Sequence, residues 1–139
     1  MALNIYQEAD PGSGFSLDGT FVNPFSVALD GLVGGAFEQR LYVRNDDLAK
    51  IYTDIVVTPV DGGDNIVDGS NGFSWKILGG DQKPLEEQWS LQAAGLGVNI
   101  GNLSDTNTYL PFWVRIEVPQ GSNVNSYQDV TLELEATES

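Results

Sequence analysis

The chain contains no cysteine and no histidine among its 139 residues. A nucleophilic site of the Ser-His-Asp or Cys-His kind is therefore excluded, because an essential member of each is missing. Zinc sites built from cysteine and histidine are excluded for the same reason. The chain also lacks the side chain that titrates near neutral pH, so any such group would need a strongly shifted pKa.

Basic residues are scarce, with six Lys and Arg against 20 Asp and Glu and a net charge of -14. Phosphate contacts need clustered cations, and here the cations are scattered, so we expect no nucleic-acid partner. The acidic residues are scattered as well, which favours a solvated, self-repelling surface over an acidic docking patch. The six basic residues are Arg40, Arg44, Lys50, Lys76, Lys83 and Arg115.

A long apolar run is also missing. The first eight residues have neither a basic nor an apolar segment of the kind that directs export, and no stretch approaches the length of a membrane span. We therefore expect no signal peptide and no membrane partner. The absence of cysteine is compatible with synthesis in a reducing cytoplasm.

What the chain does contain is alternation of apolar and polar residues. The last third holds two such segments, 110–118 and 129–136. A period of two predicts strands with one buried and one solvated face, and we expect these two to pair as a closing antiparallel hairpin. The apolar positions are Leu110, Phe112, Val114, Ile116 and Val118, followed by Val130, Leu132, Leu134 and Ala136.

Earlier segments predict five more strands, at 25–29, 37–44, 51–58, 73–77 and 96–100. Seven strands at this spacing indicate an all-β sandwich or barrel. In the third of them, we expect Ile51, Ile55 and Val57 to share the buried face. Segment 84–94 is ambiguous, because Leu85 and Trp89 suit a helical turn whereas Trp89 and Leu91 suit a strand.

Residues 1–23 have a poorer strand pattern and predict an N-terminal arm or irregular leading strands before a β-sandwich domain at 24–139. Apolar side chains at Ile5, Phe15 and Phe21 would be costly to leave in water. We expect them to be covered, and we expect the arm to act as a clasp onto a neighbouring copy or another partner. A deletion of residues 2–20 should then abolish binding and leave the sandwich folded.

The segment from Leu103 to Pro111 resembles the immunoglobulin-type E–F corner, in which an acid, a small residue and a tyrosine alternate. The resemblance implies an immunoglobulin-like antiparallel β-sandwich of about seven to nine strands. Tyr109 departs from this pattern, because the alternation places it on the same side of the strand as the outward Trp113 and not on the buried side. A bulge at Pro111 would restore the phase.

The loop at 61–72 is the densest cluster of oxygen ligands. Asp61, Asp64, Asn65 and Asp68 are candidates for a calcium site, since calcium takes six to eight oxygen ligands. Their spacing matches neither the EF-hand nor the nonapeptide repeat. The alternative is a turn-rich connection, because turns use the same residue types. We expect no other cofactor.

Trp113 and Arg115 lie on the outward side of the 110–118 segment, and such a pair is a typical contact for another protein. The alternative is that a second sheet or the N-terminal arm covers Trp113. Aromatic rings also suggest a sugar platform, although Trp75 is in phase with core residues. The platform candidates are Trp75, Trp89, Trp113, Tyr42 and Tyr52.

Catalytic carboxylates are not evident. The adjacent acidic pairs at 46–47 and 86–87 have no built-in catalytic geometry, because neighbouring residues of a strand point to opposite faces. We expect no enzyme.

Three segments, 41–46, 52–57 and 108–118, resemble small structural proteins of tailed-bacteriophage virions. The resemblance implies a non-enzymatic virion component, made in the host cytoplasm, with an immunoglobulin-like sandwich. It favours a capsid decoration (cement) protein that binds the outer lattice of the major capsid protein, or another virion protein, as a homo-oligomer. The alternative is a glycan-binding sandwich module, such as a phage adhesin or a carbohydrate-binding domain.

Overall fold

The computed structural model describes residues 3–6, 28–29, 35–60, 74–118, 125–126 and 131–139, and structural statements refer to these ranges. Their elements are the strands β1 (Leu3–Tyr6), β2 (Ala28–Leu29), β3 (Gly35–Asn45), β4 (Tyr52–Val60) and β5 (Ser74–Gly79), the helix α1 (Glu86–Ser90), and the strands β6 (Val98–Leu103), β7 (Tyr109–Val118), β8 (Asn125–Ser126) and β9 (Thr131–Glu138).

The strands form two antiparallel sheets. The first sheet has the order β1-β3-β7-β5 and the second sheet the order β6-β4-β9, while the short strands β2 and β8 pair separately. The predicted all-β sandwich is confirmed.

The strand order of the first sheet equals the A-B-E-D order of immunoglobulin domains, if β1, β3, β7 and β5 take those places. The pairing of β4 with β9 corresponds to strands C and F. The second sheet departs from that order, because β6 lies beside β4 although it follows β5 in the chain.

The core lies between the sheets, where apolar side chains of period two meet. Phe112 and Val114 of the first sheet are 0% exposed, and Leu132 and Leu134 of the second sheet are 3% and 9% exposed. Full burial of such a side chain contributes about 1.5–3 kcal/mol. The alternation therefore assigned the buried faces of β7 and β9 correctly.

The predicted hairpin between those two strands is wrong. β7 pairs with β3 and β5, whereas β9 pairs with β4 in the other sheet. Alternation identifies which face of a strand is apolar. It does not identify the neighbouring strand, because an apolar face can meet the core from either sheet.

The predicted buried face of β4 is wrong at its start. Ile51 is 49% exposed, and Tyr52 is buried at 1% exposure together with Ile55. The register of β4 shifts between Tyr52 and Ile55, where Asp54 has a φ of 53°. An inserted residue changes the phase of alternation, and Asp tolerates the left-handed conformation better than most residues.

The tyrosine-corner resemblance is not supported. Pairing between β3 and β7 runs without a shift from Arg44 opposite Tyr109 to Gly35 opposite Val118, so Pro111 marks no bulge. Tyr109 is 44% exposed and lies on the outer side of the sheet.

Part of the predicted N-terminal arm belongs to the sandwich. Residues 3–6 form β1, an edge strand of the first sheet, and Leu3 and Ile5 are 1% exposed in the core. This corresponds to the leading-strand alternative for these four residues, and the clasp prediction for residues 7–23 lies outside the described ranges. The ambiguous segment 84–94 contains the short helix α1.

Candidate partner-binding site

The outer face of the first sheet gathers most of the chain's cations. Outward side chains of β3, β7 and β5 stand in rows across the strands, with Glu38, Arg115 and Lys76 in one row and Arg40 opposite Trp113 in the next. Five of the six basic residues in the chain lie on or against this face. They are Arg40, Arg44, Lys76, Lys83 and Arg115.

Residues 80–95, here called the strap, lie between β5 and β6 in the chain and cover part of this face. Both ends of the strap are bonded to the first sheet. The Gly80 amide donates to the Pro111 carbonyl at 3.1 Å, and the Gly95 amide donates to the Trp75 carbonyl at 2.9 Å. The strap is therefore a closed excursion that leaves the sheet and returns to it.

An ionic cluster ties the middle of the strap to the sheet. The Arg115 side chain is 10% exposed; its Nη1 lies 2.7 Å from Glu86 Oε1 and 3.2 Å from Glu38 Oε1. Its Nε donates to Glu117 Oε1 at 2.8 Å, and Lys83 Nζ lies 3.3 Å from Glu38 Oε2. These five residues form the Arg115 cluster, which joins β3, β7 and the strap.

The electrostatics of the cluster follow from these contacts. The hydrogen bond from Arg115 lowers the pKa of Glu86 below its usual range. The same bond raises the pKa of Arg115, so that guanidinium stays charged although it is enclosed.

Trp89 holds the helix of the strap against the sheet. Its side chain is 1% exposed, and its carbonyl accepts a hydrogen bond from Lys76 Nζ at 3.2 Å. The indole Nε1 has no hydrogen-bond partner in the part of the chain that the structure describes. A buried donor left unpaired costs stability, so Trp89 secures the strap by apolar packing rather than by its polar atom.

The helix α1 is only five residues long, and local signals set its start. The Leu85 amide donates to Gln88 Oε1 at 2.8 Å, which satisfies a free amide at the helix N-terminus. Glu86 and Glu87 lie in the first turn, where the helix dipole favours negative charge.

The strap also covers Trp113, one of the predicted partner contacts. Trp113 is half-buried, and its Nε1 donates to the Asp81 carbonyl at 3.3 Å. Asp81 Oδ1 lies 3.0 Å from Arg40 Nη1. Trp113 and Arg115 lie on the outer face as predicted, and among the described residues the strap covers them.

The strap exposes apolar side chains of its own. Leu85 and Leu91, which flank α1 on either side, are 66% and 86% exposed. A cavity of about 250 Å³ lies where the strap leaves β5 and is lined by the strap residues Asp81, Lys83 and Gln88. The strap was not predicted as a contact surface. It presents two leucines to solvent, whereas Trp89 is buried against the sheet.

The remaining predicted site residues are distributed as follows. Ile5 packs in the protein's own core, so we reassign it from a partner contact to a core residue. Phe15, Phe21 and the calcium candidates Asp61, Asp64, Asn65 and Asp68 lie outside the described residues. Within the described ranges, no group of three or more acidic side chains is placed to hold a metal ion.

Four of the five predicted sugar-platform residues are buried. Trp75, Trp89 and Tyr52 are 1–2% exposed and Tyr42 is 8% exposed, so their rings are not available for stacking. Sequence reasoning missed Glu38, Lys83 and Asp81, which act only through contacts with distant residues. The ambiguity of segment 84–94 was the one sequence signal that pointed to the strap.

No helix in the described ranges has the length and apolarity needed to cross a membrane. No family model, curated protein or solved structure matches the chain.

Proposed function

We propose that the chain is a non-enzymatic structural protein of a tailed-phage virion, a capsid decoration protein that binds the outer capsid lattice. Support comes from the resemblance of segments 41–46, 52–57 and 108–118 to small virion proteins. The first and third segments lie side by side in β3 and β7, the two central strands of the first sheet. These two segments thus form part of the sheet on which the strap is held, whereas segment 52–57 lies in β4 of the second sheet.

The observation that carries the proposal is the exposure of Leu85 and Leu91 on a strap that is fixed to the sheet. The strap is held at both ends by backbone bonds and in the middle by Arg115 and Trp89. Exposed leucines on a fixed segment present apolar area that a protein partner would remove from water, with little ordering cost. A shell of identical subunits offers that partner in many copies.

The strap gives the partner contact a definite chemistry. The surface of the partner should offer an apolar depression for the two leucines and should tolerate Glu86 at their edge, since that side chain is 80% exposed. The segment containing Phe15 and Phe21 remains a proposed second contact. Because β1 belongs to the sandwich, the deletion suited to test that contact begins after Tyr6.

The test of the strap contact is sedimentation with capsids. The double variant Leu85→Ser/Leu91→Ser should bind capsids of the source phage that lack decoration at least about tenfold more weakly than the wild type, as expected for the loss of central apolar contacts. Leu48→Ser is the matched control, because Leu48 is 59% exposed on the β3–β4 turn, away from the strap. The melting temperature of all three proteins should agree within about 2 °C.

Each outcome decides a separate point. Equal binding of the double variant and the control would show that the strap is not the contact. Failure of the wild type to bind capsids would overturn the proposed function itself. Light scattering on the free chain adds the oligomeric state, and a closed trimer or larger ring would support a lattice-binding protein.

A further inference from the structure

Three tyrosines lie on the outer face of the first sheet, at the end of that face beyond Trp113. Tyr6 of β1 lies directly opposite Tyr42 of β3, and Arg44 of β3 lies directly opposite Tyr109 of β7. Directly opposed side chains of antiparallel strands stand about 5 Å apart at Cβ. Together with Arg40, these residues form what is here called the tyrosine patch.

The rings of the patch are held in a defined arrangement. The Tyr42 and Tyr109 rings pack edge to face, with centroids 5.8 Å apart and planes at 75°. The Arg40 guanidinium lies 5.5 Å from the centre of the Tyr42 ring. Tyr42 is 8% exposed and supports its neighbours, whereas Tyr109 is 44% exposed and presents its ring to solvent.

Polar groups beside the rings are fixed by Asp46. Tyr6 Oη and Asn4 Nδ2 both donate to Asp46 Oδ2 at 2.7 Å, and Arg44 Nε lies 3.5 Å from Asp46 Oδ1. Burial and the bond to Asp46 raise the pKa of Tyr6, whose hydroxyl is the donor in that bond. The patch therefore combines aromatic surface with donors and acceptors whose positions are set in advance.

The charges of the patch balance each other. Arg44 pairs with Asp46, and Arg40 pairs with Asp81. A chain with a net charge of -14 repels anionic ligands, and a locally balanced surface offers no attraction to counter that repulsion. The guanidiniums of Arg40 and Arg44 oppose a cationic ligand in turn. The chemistry that fits is therefore an uncharged ligand with an apolar face and hydroxyl groups.

We propose that the tyrosine patch is a binding site for a neutral saccharide. A sugar ring packs its C–H face on the exposed Tyr109 ring, and its hydroxyls exchange hydrogen bonds with Arg44, Arg40 and Asp46. Tyr42 acts as a positioning residue, because it holds Tyr109 and Arg40. This site is separate from the leucines of the strap, so it goes beyond the proposed capsid contact and does not depend on it.

The experiment is a titration of the full chain with four neutral probes: the hexaoses of glucose, mannose, galactose and N-acetylglucosamine. Chemical-shift changes and calorimetry should give a Kd of about 0.1–1 mM for at least one of them. Tyr109→Ala should weaken that binding at least about tenfold, while Tyr109→Phe should keep the ring and most of the affinity. Leu91→Ala is the matched surface control and should bind as the wild type does.

Two results would overturn the site. One is a Kd weaker than about 10 mM for all four hexaoses. The other is undiminished binding by Tyr109→Ala, which would place the sugar elsewhere on the chain. Capsid sedimentation of Tyr109→Ala separates this proposal from the proposed function, because the variant should bind capsids normally whichever way the sugar titration falls.

Discussion

The two outer faces of the sandwich differ sharply although both arise from strands of period two. The outer face of the first sheet carries Arg40, Arg115 and Lys76, and the strap covers much of it. The strands of the second sheet, β4, β6 and β9, contain no lysine or arginine at all. Their outward charges are carboxylates, among which Glu133 and Glu135 are exposed.

This difference explains how the strap can cover the outer face of the first sheet. On the first sheet, outward cations and anions neutralise each other, so the strap can bring Glu86 and Trp89 close without uncompensated charge. On the second sheet, like charges two residues apart along β9 keep that edge strand solvated. Charged side chains on an edge also oppose pairing with another chain. Within the described residues, charge composition rather than alternation distinguishes the face that the strap covers from the outer face of the second sheet.

The largest effect is expected for Trp89→Ala. This change removes a fully buried ring and should lower the free energy of unfolding by about 3 kcal/mol. Urea unfolding followed by circular dichroism measures it, with Leu91→Ala as the control on the same strap, expected within about 0.5 kcal/mol of the wild type. A Trp89→Ala value as small as the control would mean that the strap is not secured by packing.

A smaller loss is expected for Arg115→Met, which tests the ionic contribution to the covered face. Without the guanidinium, the half-buried Glu38 and Glu117 lose their shared partner, and stability should fall by about 2–3 kcal/mol. The counterpart on the outer face of the second sheet is Glu135→Gln, which should stay within about 0.5 kcal/mol of the wild type because Glu135 is exposed. The same urea titration compares them.

A double variant tests where this loss of stability comes from. If the cost of Arg115→Met comes from carboxylates that have lost their guanidinium partner, then adding Glu38→Gln should recover part of it, because one half-buried negative charge is removed. Equal losses for Arg115→Met and Glu135→Gln would contradict the contrast between the two faces.

Sequence patterns predicted the parts of the fold that depend on local alternation. The buried faces of β7 and β9 followed from the positions of Phe112, Val114, Leu132 and Leu134. The pairing of these strands did not follow, because an apolar face fits the core from either sheet. The burial of Tyr52 instead of Ile51 depends on a bulge, and the sequence alone does not mark where an extra residue enters a strand.

The candidate site was predictable only in part. Period two placed Trp113 and Arg115 on the outer face, which is where they lie. Their cover was not predictable, since it depends on contacts such as Glu38 with Arg115, which join residues 77 positions apart in the chain. No local pattern encodes such a contact. The one sequence signal for the strap was the ambiguity of segment 84–94, where Trp89 suits either a helical turn or a strand.

The smallest effect is expected from pH. Arg115 lowers the pKa of Glu86 from its usual 4.5, so ionised Glu86 stabilises the folded state. That contribution is present above the usual pKa and is lost as the pH falls through the lower, folded-state pKa. The wild type should therefore melt at a higher temperature than Glu86→Gln at pH 7, and the difference should vanish at acidic pH. The difference should be small and should shrink in high salt, because the Glu86 side chain is exposed to solvent.

Glu87→Gln is the control in the same helical turn, where the structure pairs Glu86 rather than Glu87 with Arg115. A Glu86→Gln difference that stays constant from neutral to acidic pH would show that Glu86 holds the strap through packing of its side chain, and that the ionic distinction between the two faces rests on Glu38 and Glu117 alone.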